Sequence, residues 1–263
     1  MDDLLRVFHE RVRLPDADAI PGWVQETSGL VHRSYPPDPG PNARGFIESP
    51  RGLGDDPDAV IAEQRDFFAG MGMNVEWKTY DYDEPVDLAK RLTDAGFVPD
   101  EPETLILGHV DAVLAMPTVL PSKVVLRDVH ESADFRRIAD LEVELWGSNR
   151  DSVHEQLSTE QRDFPDRLIV TVVEEAPTGP ALTAGWVRFH PGTGFASLWG
   201  GGTLPEWRRK GLYRAVLMHR AKLAKAHGYD YLRVDASEDS RPILQKCGLF
   251  AVATTTPYLF NVN

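Results

Sequence analysis

One cysteine, Cys247, stands in 263 residues. A lone thiol closes no intramolecular disulfide and brings no second thiolate to a zinc ion. A disulfide scaffold and a cysteine-based structural metal are therefore excluded, no metal ligand is assigned, and a reducing compartment, the cytoplasm, is the expected location. Long apolar runs are also missing. The nearest approach, Thr104 to Met116, is short and carries His109 and Asp111, so no membrane span is expected. The first residues, Met1 to Arg6, are acidic where a secretory signal is basic. Neither GxxxxGK followed by Ser or Thr nor a GxGxxG between a strand and a helix occurs, which ranks nucleotide hydrolysis and dinucleotide redox low. What is present is an ordinary globular composition, 42% hydrophobic and 26% charged, in a chain long enough for one large domain or two small ones.

Basic residues are scarce in one half only. Residues 1–120 hold 10 Lys and Arg against 23 Asp and Glu, whereas residues 121–263 hold 18 of each sign, so the whole net charge of -13 belongs to the first half. That asymmetry divides the chain into two domains, 1–120 and 121–263. Within the second, residues 207–246 carry ten basic groups against four acidic ones. Nucleic acid is not the expected partner, because an overall pI near 5.0 opposes counterion release; a small anion suits the cluster better.

The second half alternates its periods. Lys123 to Asp128 reads as a strand, Glu131 to Trp146 as a helix and Ser152 to Arg162 as a weaker helix. Arg167 to Glu174, Leu182 to His190 and Gly194 to Thr203 are rich in β-branched and aromatic residues between Pro and Gly turns, the pattern of an antiparallel meander. A helix follows from about Leu212 to His227, capped by Gly228. Then come a strand, Tyr229 to Ala236, a short helix, Asp239 to Cys247, and a last strand, Leu249 to Phe260. The fold class is α/β with a mixed sheet.

The stretch GGGTLPEWRRKGLYR, Gly200 to Arg214, ends a strand at Pro205 and opens through a basic, glycine-containing turn into a helix. The first amides of a helix have no internal partner and carry the positive end of its dipole, so with Arg208, Arg209 and Lys210 they suit a pyrophosphate. Here the sequence resembles the GNAT superfamily of acyl-CoA-dependent N-acyltransferases, whose loop reads R/Q-x-x-G-x-G/A. Arg208 and Gly211 supply it, and Tyr213 departs from it at the last position. Ser237 to Phe250 resembles the family's second helix and closing element, and the resemblance covers about residues 122–263. It implies a central, mostly antiparallel sheet with two splayed strands, flanked by helices, and acetyl-CoA as cofactor. By the same resemblance, Thr203 and Leu204 hold the pantetheine through their main chains, the amides from Arg208 through Arg209, Lys210, Gly211 and Leu212 to Tyr213 hold the pyrophosphate, and Ser240 adds a cofactor contact. A bulge at Gly200 to Gly202 would aim an N–H at the thioester carbonyl.

The reaction this implies is attack of a primary amine on the thioester, which needs a base for the ammonium proton and an acid for the thiolate. The family's usual tyrosine acid is replaced by Leu244, and the position of a common cofactor-contacting asparagine holds Ser237. Asp235, at the end of a splayed strand, is the candidate base, set against a helix-capping role; Ser237 and Tyr213 are the candidate acids. His190, before Pro191 and Gly192, reads as a turn residue, and His219 and His227 as packing or helix-end charge. Trp186, Trp199 and Trp207 fit a core better than an acceptor pocket, and Cys247 fits packing better than reactivity.

Residues 59–108 repeat the helix, strand, helix, strand layout of the second half. Gly72 aligns with Gly228 at an offset of 156, which sets Asp55 and Asp56 against Gly211 and Leu212. Two carboxylates there repel a pyrophosphate, so the first half is expected to be a truncated GNAT-like repeat without a cofactor. Residues 32–58, rich in Pro, Gly and Asp, read as a loop, and an element of the first half is expected to complete the second half's sheet. The leading reading is N-acetyl transfer to a small-molecule or peptide amine, with the acidic first half favouring a cationic one. The alternative is a degenerate acyltransferase fold that binds acyl-CoA as a sensor or scaffold without turnover.

Overall fold

The computed structural model describes residues 3–17, 20–40, 43–147, 150–177 and 179–262. In chain order a helix α1 (Asp3–Phe8) runs into a π-helical turn (His9–Arg13), followed by β1 (Val24–Ser28), β2 (Val31–Tyr35), β3 (Arg44–Glu48), α2 (Pro57–Gly70), β4 (Asn74–Tyr80), α3 (Leu88–Asp94), β5 (Val98–Pro99), β6 (Glu103–His109) and α4 (Val110–Leu114). Then come β7 (Val125–Val129), α5 (Ser132–Trp146), α6 (Arg150–Asp163), β8 (Leu168–Glu174), β9 (Thr183–Phe189), β10 (Phe195–Thr203), α7 (Leu212–Ala226), β11 (Tyr231–Ala236), α8 (Arg241–Lys246) and β12 (Phe250–Phe260). This is the expected mixed α/β class. Among the described residues no helix is long and apolar enough to cross a membrane.

The chain forms two compact units, and they are not the two sequence halves: one comprises 1–106, 235–241 and 251–263, the other 107–234 and 242–250. In the first, the strand order is β1-β2-β3-β4-β12-β6, with β5 also on β12. The last strand of the chain is thus internal to the sheet of the first unit, pairing antiparallel with β4 from Thr255 opposite Tyr80 to Phe260 opposite Val75. Helix α2 buries Ile61, Gln64 and Phe68, spaced to fall on one face. Ile61 and Phe68 pack with Val75 and Trp77 of β4 and Tyr258 of β12 in the unit's core.

In the second unit β7, β8, β9 and β10 form an antiparallel run, and β10 pairs parallel with β11. Its core gathers Val170 and Val172 of β8, Ala184 and Trp186 of β9, Phe135, Ile138 and Leu141 of α5, and Leu212 and Val216 of α7.

The repeat extends further than its sequence suggests. Strands β3 and β4 are parallel neighbours connected through α2, as β10 and β11 are connected through α7. Before each crossover lie two antiparallel pairings, β1 with β2 and β2 with β3 in one case, β8 with β9 and β9 with β10 in the other. The loop expected over residues 32–58 is therefore corrected: most of β2 and all of β3 occupy it, while residues 41 and 42 lie outside the described residues. A hydrophobic pattern misses these strands because their inward positions include charged groups. Arg33 is buried, and its guanidinium donates to Gln64, Glu26 and Glu63.

Candidate functional site

The site begins where two strands part. The parallel register of β10 and β11 runs from Phe195 opposite Tyr231 to Ser197 opposite Arg233 and stops, while β10 continues to Thr203. On its other side β10 follows β9 up to Gly200 opposite Gly185, and the register then shifts before Thr203 meets Thr183. The expected bulge is present. Gly200 and Gly201 have φ of +64° and +100°, backbone that a side chain resists. A Cβ at Gly200 would stand 2.6 Å from the Trp186 ring, and one at Gly202 2.3 Å from Leu145, so the three glycines answer both to conformation and to space.

Directly beneath the bulge lies Arg220 of α7. Its Nη1 donates to the main-chain oxygens of Trp199 (2.8 Å) and Trp186 (3.3 Å). Full burial pulls the guanidinium down to about 10, because the interior disfavours its charge. Gly185 makes the room: a Cβ there would lie 2.9 Å from Nη1. Tyr213, from the first turn of α7, sets its ring against Gly201, 3.0 Å from where a Cβ would be. Burial raises its phenol and so keeps the proton on it.

Beyond β10 the chain passes through Leu204 and a short 3-10 turn, Pro205–Trp207, into the basic loop. The Leu204 amide donates to Leu182 O and its carbonyl accepts from the Trp207 amide. The Thr203 carbonyl accepts from Arg208 Nε at 3.1 Å. Arg208, Arg209 and Lys210 are exposed, with Lys210 Nζ 4.4 Å from the Trp207 ring centroid. Arg209 has φ of +61° and Gly211 of +87°, which turns the backbone directly into α7. Gly211 is the N-cap of α7 and no side chain caps that end. The contrast with the first repeat is direct: Asp56 caps α2, its carboxylate accepting from the Ala59 amide at 3.2 Å. One helix start is filled by its own carboxylate, and the other, flanked by three cations, offers its first amides outward.

The residues assigned to catalysis and to Ser240 fall in the other unit. Asp235 Oδ2 accepts from Lys78 Nζ at 2.6 Å, and both side chains are largely buried. Ser237 and Ser240 bond to each other: the Ser240 amide donates to Ser237 Oγ at 3.4 Å and its hydroxyl to Ser237 O at 3.2 Å, in the turn before α8. Leu244 is fully buried on α8 and Cys247 follows it into the core, where burial pushes the thiol up. His190 is a buried turn residue with Nε2 2.7 Å from Ser197 Oγ. His219 pairs with Asp128 at 2.8 Å, and His227 stacks on Phe189. Of the three tryptophans, Trp186 is core, Trp207 is half-buried and Trp199 is partly exposed under Arg188. Among the described residues no group of three or more His, Cys, Asp or Glu is placed to hold a metal.

Sequence reasoning passed over Glu142. It is buried on α5, and burial alone pushes its carboxyl up to about 7. A signal was available, since Glu142 lies four residues after Ile138 on the apolar stripe of the helix.

A parallel strand pair that parts beside a glycine bulge, with an uncapped helix entered through a basic turn, defines an α/β fold of the acetyltransferase type. Residues 135–249 match the model of the Acetyltransferase (GNAT) family, and the chain carries a GNAT domain over those residues. Its fold is similar to a GCN5-related N-acetyltransferase from Kribbella flavida (TM-score 0.66, 15% identity, covering 98% of this chain and 96% of that one). It is similar too to a tandem GNAT protein from the clavulanic acid biosynthesis pathway (0.64, 14%, 98% and 95%). A protein of unknown function from Staphylococcus epidermidis shares it as well (0.65, 8%, 94% and 97%). The tandem match spans both repeats. No curated protein matches the sequence.

Proposed function

We propose that the second repeat is an acyl-CoA-dependent N-acyltransferase, using acetyl-CoA and transferring its acetyl group to a primary amine, and that the first is a repeat that binds no cofactor. The observation that carries this reading is the uncapped start of α7 beside Arg208, Arg209 and Lys210, set against the α2 start that Asp56 closes. These residues fit a pyrophosphate in charge and in donors. Bound there, the cofactor supplies an acyl group activated as a thioester. The chain's own part is to hold and polarise. The bulge at Gly200 and Gly201 presents main-chain groups at the end of β10, and Arg220 donates to the carbonyl of Trp199 just before it. A pantetheine contact at Leu204 would use the second lone pair of its carbonyl, because the amide is committed to Leu182. Tyr213, protonated and against Gly201, is suited to donate a proton to a departing thiolate.

Asp235 and Ser237 are proposed here as structural rather than catalytic. The Asp235 carboxylate is engaged by Lys78, and Ser237 is engaged in the turn that opens α8. A cytoplasmic location fits the single buried thiol.

The test is calorimetric titration with acetyl-CoA, followed in the same sample by a free-thiol assay against a panel of amines. One site per chain with thiol release is expected. Binding without release for any amine would replace the transferase with an acyl-CoA sensor, and no binding would remove both.

A further inference from the structure

Four buried polar side-chain atoms in the second unit have no hydrogen-bond partner among the described residues: the hydroxyls of Thr118 and Ser158, Glu142 Oε1 and the Trp186 indole Nε1, and the last two belong to the largest side chains. Glu142 and Trp186 are 9% and 8% exposed. The Glu142 oxygen can only accept when ionised and the Trp186 nitrogen can only donate. They share a neighbourhood. Ile138, Leu141 and Leu145, which flank Glu142 in the sequence of α5, pack in one cluster with Trp186. Leu145 and Trp146, one turn beyond Glu142, are the groups a Cβ at Gly202 would strike, and the Trp186 ring is what a Cβ at Gly200 would strike. The Trp186 side chain therefore lies at the glycine bulge of β10, and Glu142 stands one helical turn before the residues that meet it.

A buried unpaired acceptor and a buried unpaired donor each weaken the fold, and among the described residues no group pairs with either. Among the described side chains, charged groups on the elements packed against α5 are committed elsewhere or exposed. Glu160 of α6 pairs with Arg188 of β9 at 2.7 Å. Strand β10 has no titratable side chain, and at the far end of α5 Asp134 and Glu174 hold Arg127 and Arg137. His154 of α6 bonds Ser132; Asp151, Glu155, Arg162 and Asp163 on α6 and Asp140 and Glu144 on α5 are exposed. An acceptor oxygen and a donor N–H suit a molecule that bears a cation with N–H donors and an oxygen acceptor.

We propose that Glu142 and Trp186 form the acceptor end of the site. The Glu142 carboxylate receives the ammonium group of a primary amine and takes its proton, and the Trp186 N–H donates to a hydroxyl or carbonyl oxygen on the same molecule. In the proton step one N–H bond breaks, its electron pair stays on nitrogen, and the proton forms the O–H of Glu142, leaving a neutral amine and a neutral carboxyl. A carboxyl raised by burial holds that proton better than a solvated one. The acceptor class is thus an amino alcohol or an aminoacyl compound. The inference rests on the reading of the second repeat as an amine acyltransferase.

The test is NMR on the full chain labelled at glutamate carboxyl carbons and indole nitrogens, with ethanolamine hydrochloride as the probe and tetramethylammonium chloride at equal ionic strength as the control. Glu142→Gln and Trp186→Phe assign the two resonances. Ethanolamine is expected to lower the Glu142 midpoint by about one pH unit and to shift the Trp186 indole resonance, both saturating at one concentration. A midpoint no lower than in the control overturns the ammonium site, and an unmoved indole overturns the oxygen contact. Acetyl-CoA calorimetry on the same sample reports separately: loss of cofactor binding with the ethanolamine shift intact ends the acyl-transfer reading and leaves the amine site standing.

Discussion

Glu142 is costly to the fold, and the sign of its cost can be worked out. Its carboxyl sits at about 7 against 4.5 for an unperturbed glutamate, so between those values the folded state holds a proton that the unfolded chain has lost. Stability must then fall as pH rises through that window, by about 3 kcal/mol at 1.36 kcal/mol per unit. Glutamine does not titrate. Glu142→Gln should match the parent near pH 4 and exceed it in stability by up to about 3 kcal/mol at pH 8, as read from urea denaturation at both values. Parallel loss in parent and variant across the window would show that the carboxyl is solvated. A substitution that stabilises a protein while removing a proposed site is the expected signature of a group kept for chemistry rather than for folding. The residue was legible in part: its place on the α5 stripe follows from spacing, but a glutamate in LEVELW reads as solvated, and only packing reveals that it is buried with no partner for Oε1 among the described residues.

At the scale of elements, the loop between β10 and α7 was the most legible feature, because its chemistry is written in residues that occur together for few other reasons. Glycines at a strand end, then proline, three cations and a glycine before a helix dictate a bulge, a turn and an open helix start. The bulge makes a quantitative claim. Gly201 has φ of +100°, and a Cβ there would stand 3.0 Å from the Tyr213 ring, so Gly201→Ala should lower stability by about 2 kcal/mol. Gly40→Ala, where no atom lies within 4 Å of the added carbon, should change it by no more than about 0.5 kcal/mol. Equal effects in denaturation would mean the bulge tolerates a side chain. Strands β2 and β3 were illegible for the opposite reason. Arg33 and His32 point inward and are satisfied by Gln64, Glu26, Glu63 and Thr27, and a buried charge looks like surface until its partners are known.

At the scale of the molecule, the divisions by charge and by repeat follow the chain, whereas folding does not. The first unit holds residues 251–263 as well as 1–106, and its β12 lies between β4 and β6. Without β12, β4 loses the antiparallel partner that runs from Thr255 to Phe260, Trp77 and Phe97 lose the cover of Tyr258 and Phe260, and two strand edges are left unpaired. The same half carries 23 acidic residues against 10 basic ones, a self-repulsion that burial must overcome. Several of those basic groups are already spent inside: Arg13 on Glu48 and Asp83, Lys78 on Asp235, and the last of these partners also comes from beyond residue 120. A chain of residues 1–120 alone should therefore lack cooperative unfolding and show poorly dispersed amide resonances. The same chain joined through a flexible linker to residues 250–263 should regain part of both. If residues 1–120 fold alone, with a sharp melting transition, then the domain boundary drawn from charge is the physical one and the last strand is an accessory to it.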